Sequence, residues 1–312
     1  MPDFMGRPEI KMNIAVLSGK GGTGKTLVSV NLATVAKDAI YIDCDVEEPN
    51  GHLFFKPHIL REDEIVVKIP HVDNDICNGC RECVEFCKFN ALAHIKDRLI
   101  IFEEVCHSCG GCLLVCPEGA LIERDRPIGK VQKGISEDIR VYTGIMITGE
   151  ASGVPIIKRL LAEGLTDSEQ AAEAKNRHAA TESLPMTFID CPPGSACTVM
   201  ESIQDADYCV LVAEPTIFGV HNLNLVYELV KLFHKPFGVI LNKCLKEENP
   251  AKRFCEERSI KVLGEIPFDK ELGEINSKAQ IAALESSKYH DLFSSLLEAV
   301  KKEAHHEAGS NS

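Results

Sequence analysis

Two kinds of chemistry stand at fixed spacings in this chain. The first is sulfur chemistry. Cys77, Cys80, Cys83 and Cys87 lie in "ICNGCRECVEFCKFNALAHI", and 29 positions later Cys106, Cys109, Cys112 and Cys116 repeat the C-x2-C-x2-C-x3-C frame in "VCHSCGGCLLVCPEGALIE". Thiols this closely spaced suit soft metal centres. The second is phosphate chemistry. Residues 19–26 read "GKGGTGKT", which satisfies G-x-x-x-x-G-K-[ST]. Gly19, Gly21, Gly22 and Gly24 let backbone N–H groups converge on phosphate oxygens without Cβ clashes, with Lys20 and Thr23 between them. Lys25 stands where it would reach the β- and γ-phosphates, and the Thr26 hydroxyl would help to hold Mg2+.

The duplicated cysteine frame resembles that of bacterial two-cluster ferredoxins. In that pattern three cysteines of a tight loop wrap one face of a cubane, and the fourth caps the other cluster. The resemblance implies two [4Fe-4S] clusters, one on Cys77, Cys80, Cys83 and Cys116, the other on Cys87, Cys106, Cys109 and Cys112. The second frame ends in Cys116-Pro117, as the pattern has it; the first ends in Cys87-Lys88, which loses a backbone stiffener but no ligand. Zinc is the rival occupant. Zinc ribbons carry two C-x2-C pairs about 15–20 residues apart, without a third cysteine close behind each pair. Outside the frames, Cys209 reads as core, and strand alternation turns Cys44 and Cys191 away from the aspartates beside them. Cys197 is a candidate for an additional metal-binding thiol. The pair His305-His306 reads as a solvated chain end.

These residues need elements to hold them. Residues 12–19 form a short apolar run ending in glycine, which reads as a buried strand. From Lys25 the apolar residues fall at helical spacing, and "AIYIDCDVEEPNG" reads as a second strand and a loop. Further strands are expected from Met186, Tyr208, Phe237 and Ile260, with helices between them, including residues 220–233. The fold class is therefore α/β, a doubly wound, mainly parallel sheet with helices on both faces. The cysteine frames interrupt it as an inserted, ferredoxin-like α+β unit at residues 60–125. The surrounding fold is then discontinuous, residues 12–59 and 126–300, with residues 1–11 and 301–312 as flexible ends. Residues 165–183 are polar and read as an exposed helix and loop. Residues 289–302 are amphipathic and read as a helix packed on the core.

Composition limits the function. With 312 residues and 45% hydrophobic content, the chain can build a sizeable core. A formal net charge of −13 argues against coating nucleic acid or an anionic membrane. The apolar runs are too short to span a bilayer, and "MPDFMGRPEIKM" lacks the apolar stretch of a signal peptide. Fourteen cysteines in a reducing compartment point to metal or redox chemistry. The expectation is a cytoplasmic protein.

Lys20 narrows the reading. "KGGTGKT" resembles the deviant Walker A sequence of the MinD, ParA, Mrp and nitrogenase iron-protein superfamily, and the likeness covers most of the chain outside the insert. It implies that Lys20 reaches the nucleotide of the partner subunit in a sandwich homodimer. Asp43 and Asp45, in "YIDCDVEEPNG", match the first switch segment, where an aspartate positions the attacking water and touches the Mg2+ shell. Asp190, in "TFIDCPPG", matches the Walker B-like aspartate, and Pro192, Pro193 and Gly194 match the second switch. Asn242, in "ILNK", matches the adenine-reading asparagine, and Pro267, in "EIPFD", the loop behind the adenine. Cys197 matches the offset of a cluster cysteine in the nitrogenase iron protein, yet no cysteine between Cys116 and Cys191 supplies its second ligand. The implied function is an ATP-hydrolysing iron–sulfur protein that couples dimer switching to electron transfer, or to cluster assembly, on an acceptor protein. The alternative is a positioning or regulatory switch of the ParA/MinD kind, with the clusters structural or redox-sensing.

Overall fold

Alternation in the first strand already defines two cores. In β1 (Met12–Leu17), Ile14 and Val16 face one side of the sheet and Ala15 and Leu17 the other, all of them fully buried. The computed structural model describes residues 11–178, 185–245 and 249–310, so the expected flexible start lies almost wholly outside the described residues. From β1 the chain passes through the glycine loop into α1 (Lys25–Ala36), β2 (Ile40–Asp43), the short α2 (Gly51–Phe55) and the long β3 (His58–Val72). The cysteine lobe follows, with α3 (Glu82–Phe86), a hairpin of β4 (Leu92–Ile95) and β5 (Arg98–Ile101), and α4 (Gly111–Leu114). The chain returns along β6 (Leu121–Ser136) and β7 (Ile139–Met146) to α5 (Val154–His178). Alternation then resumes with β8 (Met186–Asp190), α6 (Cys197–Ile203), β9 (Tyr208–Ala213), α7 (Ile217–Leu232), β10 (Phe237–Cys244), α8 (Pro250–Glu257) and β11 (Val262–Pro267). Helices α9 (Lys270–Ser277), α10 (Ala282–Glu285) and α11 (Ser287–Ser310) end the described chain.

Nine strands make one sheet in the order β11-β10-β9-β1-β8-β2-β7-β6-β3. Neighbours from β11 to β7 are parallel; β6 and β3 are added antiparallel. Side chains of α5, α6, α7 and α8 pack on one face, and those of α1, α9, α10 and α11 on the other. This is the doubly wound, mainly parallel α/β sheet that the strand and helix order predicts. Its consequence for function is general: parallel strands present their C-terminal ends together, and ligands sit there.

β3 and β6 pair along their whole length, from His58 opposite Ile135 to Val72 opposite Leu121. β6 pairs with β7 only from Gly129 onward. Beyond that point the two strands continue alone, as a ribbon that carries the cysteine lobe. Of the insert limits expected at residues 60 and 125, residue 125 falls inside this ribbon, while residue 60 lies in the part of β3 whose partner β6 is itself paired with β7. "LREDEIVVK" is a charged edge strand whose inward residues, Ile65 and Val67, alternate without a break up to the buried Ile69, so its periodicity marks no boundary at residue 60. The tail also differs from expectation. α11 continues past Lys301 to Ser310, because Ala304 extends the buried stripe of Tyr289, Phe293 and Val300. The expected packing of residues 289–302 on the core is observed. Of the polar stretch at 165–183, residues through His178 are helical and the rest lies outside the described residues. Among the described residues no helix is long and apolar enough to cross a membrane.

Candidate nucleotide cleft and thiol sites

The glycine loop leaves the C-terminal end of β1 at the middle of the sheet. Gly22 and Gly24 have φ of 80° and 90°, left-handed values that favour glycine. A Cβ added to Gly24 would lie 2.1 Å from Nδ2 of Asn242. That amide braces the loop: its Nδ2 donates to the Thr23 carbonyl at 2.7 Å, and its Oδ1 accepts from the Lys243 N–H at 2.9 Å. Asn242 thus lines the cleft, and both polar ends of its side chain are engaged in shaping the loop. Glu214, just past β9, gathers two lysines. Lys243 donates to Oε1 of Glu214 at 2.6 Å and to the Gly22 carbonyl at 2.8 Å, while Lys20 pairs with Oε2 at 3.2 Å. Burial works to raise the Glu214 pKa, but the hydrogen bonds from Lys243 and Lys20 outweigh it and hold the carboxyl below its usual range.

Beneath the loop lies a buried charge cluster. Lys25 is 2.6 Å from Oδ1 of Asp190 and 3.9 Å from Oδ2 of Asp45. The second oxygen of Asp190 accepts the Tyr41 hydroxyl at 2.8 Å. Asp43 is fully buried and accepts three backbone N–H groups, from Gly51 at 2.8 Å, Asn50 at 3.1 Å and Asp45 at 3.2 Å. Burial pushes the Asp43 carboxyl up to about 7, with the Asp190 charge adding to the rise and Lys25 opposing it. Burial likewise raises Asp45 to about 6 against the pull of Lys25. Above this cluster opens a cleft of about 690 Å³, lined by Lys20, Gly21, Gly22, Thr23, Gly24, Lys25, Thr26, Asp45, Asn242 and Pro267. Asp43 and Asp190 sit buried behind it, and Gly19 packs its backbone on α7, where a Cβ would fall 2.1 Å from the Asn222 carbonyl oxygen. The volume is that of a small-molecule site, roughly 300–1,000 Å³. Glycine amides, two lysines, a hydroxyl and carboxylates suit a polyphosphate with a divalent cation.

The cysteine repeat is also a repeat of backbone. Left-handed φ values occur in pairs 29 residues apart, at Gly79 and Ser108, Arg81 and Gly110, Asn90 and Gly119. Left-handed residues beside right-handed ones turn successive N–H groups to one side, forming nests for anions. The two copies also cross. The Asp73 N–H donates to the Ala120 carbonyl, and the Phe102 N–H to the Ala91 carbonyl, each at 2.8 Å. Cys77, Cys80, Cys83 and Cys116 line one cavity. Cys87, Cys106, Cys109 and Cys112 line another, of about 400 Å³. The last cysteine of each frame therefore stands with the first three of the other. Cys83 and Cys112 are buried with Leu92, Leu99 and Leu121 in the small core of the lobe. Burial pushes the Cys112 thiol up to about 11 and raises Cys83, so both favour the neutral form until a cation shares the cavity. Four soft donors per cavity, with N–H nests in the same loops, fit an iron–sulfur centre.

A family model described as the CobQ/CobB/MinD/ParA nucleotide binding domain matches residues 14–281. The chain belongs to this nucleotide-binding family. An uncharacterized protein of Methanocaldococcus jannaschii is 27% identical over 303 residues, covering 96% of this chain and 99% of its own length. The iron-sulfur cluster carrier protein of Pyrococcus abyssi is 23% identical over 279 residues, 83% of this chain and 75% of its own. Among solved structures, the cell division ATPase MinD of Pyrococcus furiosus matches with a TM-score of 0.56 and 18% identity, over 94% of this chain and 99% of that one. That likeness is one of fold.

Within this CobQ/CobB/MinD/ParA domain, three residues around the cleft escape a reading by motif: Tyr41, Glu214 and Lys243. Each had a signal. Tyr41 precedes Asp43 by two in a strand and so shares its face, Glu214 follows directly on a parallel strand, and Lys243 adjoins Asn242. Cys197 stands apart. It is exposed at the start of α6, and its neighbours Ala196 and Thr198 line the cleft while it does not. Cys44, Cys191 and Cys209 are buried, Cys209 in the core as its apolar strand leads one to expect.

Proposed function

We propose that this protein binds ATP with Mg2+, hydrolyses it as a homodimer, and uses nucleotide state to govern electron transfer through two [4Fe-4S] clusters to an acceptor protein. The observation that carries the reading is the gathering of two complete cysteine sets on a ribbon rooted in the cleft wall. Leu53 and Phe54 of α2 line the cleft, and β3 starts at His58, after a two-residue link from the end of α2 at Phe55.

In this reading the loop amides and Lys25 bind the triphosphate, and Thr26 with Asp43 and Asp45 serves the Mg2+ shell and the attacking water. Asp190 completes that shell. Lys20 leaves Glu214 to reach across the dimer, and the backbone at Pro267 abuts the adenine. Loss of the γ-phosphate frees the two switch segments. Cys77, Cys80, Cys83 and Cys116 would hold one cluster, and Cys87, Cys106, Cys109 and Cys112 the other. The clusters supply one-electron chemistry. Eight thiols complete both sets inside one lobe, which favours persistent ligation and hence electron transfer over cluster donation. Cys197, exposed and alone, is the candidate for a labile additional site. The net charge of −13 favours a protein partner over nucleic acid or membrane, in the cytoplasm.

The likeness to the Pyrococcus abyssi carrier supports a second reading, ATP-dependent delivery of a cluster. The MinD-like fold supports a third, a positioning switch with structural or redox-sensing clusters. Anaerobic reconstitution with iron and sulfide, followed by electron paramagnetic resonance with and without MgATP, tests the first. The expected result is two four-iron signals whose shape or reoxidation rate changes with MgATP. Identical behaviour with and without nucleotide removes the gating, and well-folded protein holding zinc on these thiols removes the clusters. Transfer of iron to an apo-acceptor selects the second reading; ATP-stimulated DNA or liposome binding selects the third.

A further inference from the structure

Tyr41 is a fully buried phenol that none of these roles uses. A buried hydroxyl needs a partner. This one donates to Oδ2 of Asp190 at 2.8 Å, while Lys25 holds Oδ1 at 2.6 Å. Ser29 of α1 lies 3.5 Å from the same hydroxyl. The Asp190 carboxylate is thus held in one orientation from two sides. Phenylalanine at position 41 would keep the ring and leave Oδ2 of Asp190 without this donor, so the hydroxyl serves Asp190.

The ring has a separate task. A Cβ on Gly51 would fall 2.3 Å from Cε1 of Tyr41, so α2 begins directly against the ring. Phe55, at the other end of α2, packs its ring 4.9 Å from that of Tyr41, centroid to centroid. The start of α2 is bonded to Asp43 through Gly51 and Asn50. Its end is bonded to β6, where the Ser136 hydroxyl donates to the Phe55 carbonyl at 2.5 Å. α2 therefore touches the cleft on one side and, on the other, the end of β6 that pairs with β7 and runs on through the sheet into the ribbon.

We infer that Tyr41 is a positioning residue with two linked duties: its hydroxyl orients Asp190 toward the cation of a bound nucleotide, and its ring seats α2, so that nucleotide binding is relayed through α2 and Ser136 to the ribbon that carries the cysteine lobe. The inference rests on the nucleotide-binding reading of the cleft. Full-length wild type, Tyr41→Phe and Ser136→Ala are compared after anaerobic cluster loading. Two measurements are made: the Mg2+ concentration for half-maximal binding of a fluorescent ATP analogue, and hydrogen exchange of residues 51–72 and 121–136 with and without MgATP. Tyr41→Phe should melt near the wild-type temperature and bind the analogue normally without Mg2+. It should need several-fold more Mg2+ and lose the nucleotide-induced change in ribbon exchange. Ser136→Ala should keep the wild-type Mg2+ midpoint and lose only the ribbon response. A wild-type midpoint together with a wild-type ribbon response in Tyr41→Phe overturns the proposal. So does wild-type protein that binds nucleotide with no change in the ribbon. If Tyr41→Phe does not fold, Ser136→Ala decides the relay, and an unaltered ribbon response there overturns it. Wild-type protein that binds no nucleotide removes the reading of the cleft itself, and this proposal with it.

Discussion

Lys25 is the ammonium on which the buried charge of the cleft depends. Burial works against its charge, but Asp190, Asp45 and Asp43 outweigh that effect and hold its pKa above the ordinary value. Removing it leaves the Asp190 carboxylate, itself 1% exposed, without its cation. Breaking a buried pair in this way costs about 3–5 kcal/mol. Lys25→Met should therefore lower the stability of nucleotide-free protein in urea by that order, and adding Asp190→Asn should recover most of it. Unchanged stability in the single variant would show that the pair is not buried in solution. A second carboxylate permits a pH test. Burial works to raise the pKa of Asp167, yet hydrogen bonds from Lys133 and Tyr142 outweigh it and lower the value below 3.8. A depressed carboxyl contributes stability above its unfolded pKa and loses it as pH falls through the folded one. Asp167→Asn should cost about 1–3 kcal/mol at neutral pH. The gap to wild type should close as the pH falls below about 4; a gap that persists in acid would assign the loss to packing.

The duplicated frame, and not the single cysteine, is the unit that builds each thiol site. Its internal spacing is legible in the chain, but the matched left-handed residues are only half marked, because each pair holds one glycine, Gly79, Gly110 or Gly119, opposite Ser108, Arg81 or Asn90. The ribbon was not legible. β3 reads as an alternating, charged strand whose partner β6 lies beyond the whole lobe, and pairing at that distance leaves no local mark. The crossing of the copies yields an element-level prediction. Cys87 shares a cavity with Cys106, Cys109 and Cys112. Cys87→Ser should therefore give the cluster spectrum of Cys109→Ser, a variant of the other frame, and differ from that of Cys80→Ser in its own. The opposite match would mean that each frame keeps its own fourth ligand.

The molecule joins a large, self-sufficient sheet to a lobe with little core. The sheet is packed on both faces by helices, while the buried apolar side chains of the lobe's core cluster are Leu92, Leu99 and Leu121, with Cys83 and Cys112. Metal binding should then supply much of the lobe's folding free energy. Anaerobic iron chelation followed by limited proteolysis should give cleavage within residues 73–120 and leave the sheet resistant. Resistance throughout would show that the lobe folds without metal. The amino-acid sequence by itself determined what short-range spacing can encode: the phosphate loop, the two cysteine frames, and the strand and helix order of a doubly wound sheet. Those features depend on residues a few positions apart and on the two- and 3.6-residue periods of backbone geometry. Only the tertiary structure decided which distant side chains meet. Tyr41 reaches Asp190 across 149 positions, and Asn242 reaches the Thr23 carbonyl across 219. Strand order and register bring these groups together, and a register is set by the packing of whole faces, which no local spacing records.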